Sequence, residues 1–139
     1  MRLNSFYPVL LTDDVAASAA FFLEHLGFRE TFRNEWYVSL VHGDREEYEL
    51  AFVQRTHESV PAGYRAASNV LLNVEVEDAA REYERLRPAL DVVVPLRDEA
   101  WGQRHFIGAL PGGVLLDVIE VIEPSAEYAA QYVGGEGSA

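Results

Sequence analysis

The same order of predicted elements occurs twice along the chain, and this repeat restricts the possible folds more than any other feature. Each half of the sequence is predicted to form a strand, a helix and three further strands, which together make a βαβββ unit. The first unit covers about residues 5–55 and the second about residues 68–123. The repeat therefore predicts an α+β fold of two tandem βαβββ modules in a single domain, residues 1–123.

Capping residues mark the helices, and apolar runs mark the strands. Asp14, in an N-cap cluster, precedes the first predicted helix, and Gly27 ends it. The second predicted helix covers residues 78–86, with Ala79, Tyr83 and Leu86 on one face. The predicted strands are residues 6–11, 28–33, 37–41 and 48–54 in the first module and 70–76, 92–96, 105–109 and 114–122 in the second. A tail, residues 124–139, follows with a predicted short helix over 124–133.

The composition excludes several classes of function. Twenty-three acidic and 11 basic side chains give a net charge of −12, whereas a nucleic-acid-binding domain needs a positive surface. A negative surface can concentrate a cationic small molecule, although it can also serve solubility alone. The chain has no cysteine, which excludes disulfides and thiolate chemistry and fits a cytoplasmic protein. No apolar run is long enough to span a membrane, so no membrane partner is expected.

The predicted last strand contains a carboxylate in an apolar row. Leu115, Asp117 and Ile119 share one face of this strand, because side chains alternate with period two. A buried carboxylate costs several kcal/mol unless it is paired, hydrated or bound to a ligand. Asp117 therefore needs a partner. Trp101, beside Gly102 in a polar loop, could supply a flat apolar surface to the same site.

Three segments of the chain resemble a known superfamily. They are residues 8–22 (PVLLTDDVAASAAFF), residues 26–28 (LGF), and residues 101–106 (WGQRHF) with the predicted Pro-Gly-Gly hairpin turn at 111–113. These segments resemble the vicinal-oxygen-chelate superfamily, which includes glyoxalases, extradiol dioxygenases, fosfomycin-modifying enzymes and bleomycin-resistance binding proteins. The Trp-Gly-x-Arg-x-Phe segment is most similar to the bleomycin-binding branch. The resemblance implies mixed sheets curled around a cleft, a homodimer, and a ligand groove formed between subunits.

The resemblance also implies where a metal ion would be bound. Enzymes of the superfamily hold a divalent metal with His and Glu side chains from the first and last strands of each module. In this chain those places are occupied by Tyr7, Glu49, Leu71 and Asp117, with Glu49 and Asp117 at corresponding places in their strands. Leucine cannot coordinate a metal, and a neutral tyrosine replaces imidazole poorly. We therefore expect neither a metal site nor a cofactor.

Acid–base chemistry and aromatic binding remain as alternatives for the site. Glu49, Asp117 and His105 are the catalytic candidates if the protein is an enzyme, and His105 is the only histidine on a predicted strand. In bleomycin-binding relatives, the tryptophan that matches Trp101 lines the antibiotic groove. The candidate ligand-binding residues are Trp101, Tyr7, Trp36, Tyr48, Phe52, His105, Phe106 and Asp117. For each aromatic residue, packing in the core is the competing interpretation.

The leading hypothesis is a non-catalytic protein that sequesters a small aromatic molecule. The ligand would be a planar, DNA-damaging natural product of the bleomycin, mitomycin or enediyne kind, and sequestration would confer resistance. The first alternative is a glyoxalase- or lyase-type enzyme that uses an acid–base residue with a weakly held metal or none. The second is a structural or regulatory dimer in which Trp101 packs at the subunit interface.

Overall fold

A computed structural model describes residues 1–66 and 70–133 of the chain. It confirms the α+β fold, with two four-stranded mixed sheets and few helices. The chain divides into two compact units, of which the first comprises Met1–Val70 and Leu110–Val114 and the second Leu71–Ala109 and Leu115–Ala139. None of the helices in the described part of the chain has the length and apolar character needed to cross a membrane.

The first unit is one βαβββ module. Its elements are β1 (Val9–Thr12), α1 (Val15–His25), β2 (Phe28–Arg33), β3 (Tyr37–His42) and β4 (Glu49–Gln54), followed by a 3-10 turn at Ala62–Tyr64. The sheet order is β1-β4-β3-β2, and β1 is parallel to β4. The Asp14 carboxylate caps α1 by accepting a hydrogen bond from the Ala17 N–H at 3.0 Å. Helix α1 covers one face of the sheet, where Phe22 packs edge-on against Phe52.

The second unit repeats this architecture. Its elements are β5 (Leu71–Glu75), α2 (Ala79–Leu86), β6 (Asp91–Glu99), β7 (Gln103–Ala109), β8 (Leu115–Val121) and α3 (Ala126–Ala129). The sheet order is β5-β8-β7-β6, and β5 is parallel to β8. The Asp78 carboxylate caps α2 as Asp14 caps α1, by accepting a hydrogen bond from the Arg81 N–H. Helix α2 covers one face of this sheet, where Tyr83 packs against Phe106, and the opposite face carries the odd-numbered residues of β8.

The predicted Pro-Gly-Gly turn lies between β7 and β8 and packs within the first unit. The Leu110 N–H donates to the Val114 carbonyl at 2.8 Å and closes the turn. The Ser18 hydroxyl donates to the carbonyl of Pro111 at 3.2 Å. Gly112 has φ +90°, and a Cβ at this position would lie 2.6 Å from Oγ1 of Thr12. Glycine is therefore required here both by the backbone conformation and by the close approach.

The structure corrects two expectations. Counted from the capping aspartates, Val9 and Asn73 occupy equivalent positions, and they pair with Ala51 and Asp117, respectively. Asp117 therefore corresponds to Ala51 rather than to Glu49, because an equal count along the chain is not the same as equal register across the sheet. The predicted tail helix is shorter than expected and comprises Ala126–Ala129. The end of the tail, residues 134–139, lies outside the described residues.

Candidate functional site

A buried histidine–aspartate pair lies on the sheet face of the second unit that is opposite α2. In the antiparallel register of β7 and β8, His105 is opposite Ile119 and Asp117 is opposite Ile107, so the two polar residues are diagonal neighbours on one face. Nδ1 of His105 and Oδ1 of Asp117 are 2.7 Å apart. His105 is 4% exposed and Asp117 is 5% exposed. The carboxylate that the sequence places in an apolar row thus has its partner on the neighbouring strand.

The two ring nitrogens of His105 differ in their hydrogen bonding. Among the residues that the structure describes, the buried Nε2 atom has no hydrogen-bond partner. Leaving such an atom unsatisfied costs about 1–3 kcal/mol. The bond from Nδ1 to Asp117 holds the imidazole in one orientation. The pair therefore combines an oriented ring with one unused polar atom.

Trp101 covers part of this pair. It lies in the turn between β6 and β7 and is 41% exposed. Its indole ring meets the ring of His105 edge-on, with centroids 6.3 Å apart, and that of Tyr128 in α3 at 6.2 Å. Indole Nε1 donates to Oε1 of Gln103 at 3.0 Å, so the polar end of the ring is satisfied. One part of the indole is thus positioned by protein contacts, and the rest remains open to a ligand.

The turn that carries Trp101 requires glycine at position 102. Gly102 has φ +104°, and a Cβ there would lie 3.0 Å from the carbonyl oxygen of Ile122. The Gly102 N–H donates to the Glu99 carbonyl, and the Gly102 carbonyl accepts from the Ile122 N–H at 2.9 Å. The first bond closes the turn, and the second joins it to the segment that follows β8. Trp101 is therefore presented by an ordered backbone rather than by a loose loop.

An exposed ion pair orders the same hairpin. Nε of Arg104 donates to Oδ1 of Asp98 at 2.7 Å, and one terminal nitrogen donates to Oδ2 at 3.0 Å. These hydrogen bonds from Arg104 lower the pKa of the Asp98 carboxyl group below its ordinary value. Solvent-exposed pairs of this kind contribute little to the free energy of unfolding. The pair adds a bidentate link across the hairpin that carries Trp101.

Two predicted ligand-binding residues are part of the core. Phe52 is 1% exposed and packs edge-on against Phe22 of α1, with ring centroids 5.4 Å apart. Phe106 is 0% exposed and meets Tyr83 of α2 at 5.0 Å. Both rings lie on the helix-covered faces of their sheets. We therefore define the candidate site without them.

The other predicted residues lie in the first unit. Trp36 is stacked on His57 with centroids 3.6 Å apart, so one face of its ring is already covered. Tyr48 is 53% exposed and lies beneath the guanidinium of Arg45. The last two, Tyr7 and Glu49, precede β1 and begin β4, respectively. We define the candidate site by five residues of the second unit: Trp101, Gln103, His105, Asp117 and Tyr128.

Sequence reasoning missed Gln103 and Tyr128. Gln103 lies two residues after Trp101, at the start of β7, and its side chain reaches the indole N–H. Tyr128 lies in the tail, and no local pattern indicates that α3 brings it to the Trp101 ring.

The residues that the sequence resemblance assigns to metal binding do not fit a metal ion. Leu71 has no donor atom, and the Asp117 carboxylate is engaged by His105. Throughout the described ranges, no three His, Asp or Glu side chains are grouped closely enough to hold a metal ion. We therefore derive no chemical step through a metal.

Many solved structures share the fold of this chain. A glyoxalase/bleomycin resistance protein/dioxygenase from Nocardioides has a TM-score of 0.69 and 23% identity, with 88% of this chain and 86% of that chain covered. A family enzyme from Burkholderia phytofirmans PsJN has a TM-score of 0.70 and 18% identity, covering 84% and 97%. The bleomycin-binding protein of Streptomyces verticillus, complexed with copper(II)-bleomycin, has a TM-score of 0.61 and 22% identity, covering 85% and 96%.

Sequence comparison defines the family. No curated protein sequence matches the chain. The family model described as the Glyoxalase/Bleomycin resistance protein/Dioxygenase superfamily matches residues 4–118. The chain therefore belongs to the glyoxalase/bleomycin resistance protein/dioxygenase superfamily.

Proposed function

We propose that this protein is a non-catalytic binding protein for planar aromatic small molecules, with Trp101 as the stacking surface. The observation that carries the proposal is the indole of Trp101, which is 41% exposed on an ordered turn beside Tyr128 and against the buried His105. The natural ligand in this proposal is a DNA-damaging natural product of the bleomycin, mitomycin or enediyne kind. Its sequestration in the cytoplasm would confer resistance.

Three physical arguments support the proposal. A large ring left partly open to water gains apolar burial and stacking when a planar ligand covers it. Such burial can supply micromolar to nanomolar affinity without chemistry. The net charge of −12 favours the approach of cationic ligands. The similarity in fold to a bleomycin-binding protein agrees with this class of ligand.

Replacing Trp101 with alanine should weaken the binding of a planar ligand by about 1–3 kcal/mol, which is roughly a 5- to 150-fold rise in Kd. The reason is the loss of the stacking surface, since the ring is too exposed to be essential for folding. Isothermal titration with phenazine and with copper(II)-bleomycin measures the change.

The matched control is Trp36→Ala, because His57 already covers one face of that indole. Circular dichroism verifies that both variants are folded. An unchanged Kd in Trp101→Ala would contradict the stacking model. If the tryptophan fluorescence of the unmodified protein does not respond to either compound, a dimer without a small ligand becomes the better account.

One observation favours an enzyme as the second candidate function. Asp117 orients His105 through Nδ1, which is the arrangement of a general base with its orienting carboxylate. A metal-independent glyoxalase- or lyase-type reaction would use this pair. Mass spectrometry of the ligand after incubation separates the two functions, because a binding protein returns its ligand unchanged.

We also propose that the protein is a homodimer. β1 is an edge strand of the first sheet, and the residues at and before its start, Phe6, Tyr7 and Val9, have exposed side chains. Phe6 alone is 83% exposed. Exposed apolar side chains beside a sheet edge are typical of surfaces that pair with another chain. In sedimentation velocity we expect twice the chain mass of 15.6 kDa, and a single species at the chain mass would contradict the proposal.

A further inference from the structure

The unsatisfied Nε2 atom of His105 is not explained by the fold. β7 and β8 need no polar side chains at these positions, since Ile119 and Ile107, the cross-strand partners of His105 and Asp117 on the same face, are apolar. Aliphatic residues at both His105 and Asp117 would avoid the cost of burying polar groups. An oriented imidazole with a buried, unpartnered nitrogen is instead the state expected of a group that awaits a ligand.

The ring cannot satisfy Nε2 by turning over. A flip of the imidazole would place a carbon atom against Asp117 and would break the 2.7 Å bond from Nδ1. Asp117 is itself held in an apolar row and is 5% exposed. Losing the partner of a buried carboxylate costs more than leaving one neutral nitrogen unsatisfied. Nε2 therefore stays directed away from the carboxylate.

The hydrogen-bonding character of Nε2 follows from the same arrangement. An ionised carboxylate only accepts hydrogen bonds, so the ring nitrogen that faces Asp117 carries a proton. In the neutral ring, the single proton lies on Nδ1 and is donated to Asp117. Nε2 then presents a lone pair. It can accept a hydrogen bond but cannot donate one.

We propose that Nε2 of His105 is the specificity-determining atom of the site and accepts a hydrogen bond from a hydroxyl or N–H group on the edge of a planar aromatic ligand. The ligand ring stacks on Trp101, which is in edge-on contact with His105 and shifts to admit the donor group. Asp117 is a positioning residue that keeps the proton on Nδ1. This inference rests on the proposed function and adds a class of ligand to it: planar aromatic compounds of the phenol or N–H heterocycle type.

Three matched probes test the inference: phenazine, 2-hydroxyphenazine and 2-methoxyphenazine. Only the hydroxyl compound can donate, and the methoxy compound matches its position and oxygen. Titrations are made at a pH at which absorbance shows the probe hydroxyl to be protonated. We expect 2-hydroxyphenazine to bind at least about tenfold more tightly than the other two, because only it satisfies Nε2.

Two variants locate the source of the preference. In His105→Leu the ratio of the affinities for 2-hydroxyphenazine and phenazine should fall to about one, because the acceptor atom is gone. Asp117→Asn should donate its amide N–H to Nδ1, which moves the ring proton to Nε2. Nε2–H then donates to hydroxyl and methoxy oxygens alike, so the ratio of their two affinities should fall to about one. A merely structural role of Asp117 would not change this ratio.

A spectroscopic measurement supplies a second readout. The ¹⁵N NMR shifts of His105 should show a protonated Nδ1 and a bare Nε2 in the unmodified protein, and the reverse tautomer in Asp117→Asn. This test remains decisive if His105→Leu does not fold. A protonated Nε2 in the unmodified protein would overturn the inference.

The remaining outcomes distinguish this inference from the proposed function. If all three probes bind with equal affinity, the inference is overturned and the proposed function stands. If none of the three binds, the inference is overturned, and the proposed function is contradicted as well if copper(II)-bleomycin does not bind. A hydroxyl preference that persists in folded His105→Leu would also overturn the assignment of Nε2.

Discussion

The His105→Leu variant is expected to lose about 3–5 kcal/mol of its free energy of unfolding. The substitution roughly keeps the volume of the side chain but leaves the Asp117 carboxylate, which is 5% exposed, without its partner. A buried carboxylate left without its hydrogen-bond partner is among the few causes of losses this large. Urea unfolding followed by circular dichroism measures the change.

The double variant His105→Leu/Asp117→Leu is the control for this result. Removing both polar groups leaves no buried charge, so most of the lost stability should return. Asp117→Leu alone should cost less than His105→Leu alone, about 1–3 kcal/mol, because it strands a neutral imidazole rather than a carboxylate. If the two single losses simply add in the double variant, the residues are not energetically coupled and the assigned pair is wrong.

The Phe52→Ala variant is expected to lose a similar amount, about 3–5 kcal/mol. Its ring is 1% exposed and packs against Phe22 of α1, so truncation removes apolar burial and leaves a cavity between helix and sheet. Tyr48→Ala is the matched control in the first unit, because that ring is 53% exposed. It should change the free energy of unfolding by less than about 1 kcal/mol.

A second substitution of Phe52 tests whether the core and the binding site are separate. Phe52→Leu keeps most of the apolar volume and should remain folded well enough for titration. Because Phe52 lies on the helix-covered face of the first sheet, the Kd of phenazine should be unchanged in this variant. A large rise in Kd without a change in circular dichroism would return Phe52 to the list of ligand-binding residues.

Most elements of the fold could be predicted from local patterns. Asp14 and Asp78 mark both helix starts, because a carboxylate before an apolar periodic run satisfies the first free N–H groups of a helix. The Pro-Gly-Gly segment marks the β7–β8 turn, where Gly112 and Gly113 both have positive φ values. The predicted boundaries of the elements were less accurate: β1 starts at Val9, whereas the predicted strand starts at residue 6.

The sheet face on which an aromatic side chain lies could not be predicted from local patterns. Leu50, Ala51, Phe52 and Val53 of β4 are all buried, so the strand has no alternation from which its two faces can be told apart. From the sequence, Phe52 could therefore be assigned either to a ligand site or to the core. Its contact with Phe22 of α1 decides for the core.

By itself, the sequence determined the repeated βαβββ order, the helix caps, the turns, and the need of Asp117 for a partner, because each depends on neighbours along the chain. It also singled out Trp101 as a large ring in a polar turn. Only the tertiary structure decided that the partner is His105, that Nε2 is left unsatisfied, and that Tyr128 of the tail meets Trp101. These contacts depend on the register between strands and on the packing of distant segments, and a one-residue shift of β8 against β7 would move Asp117 to the opposite face.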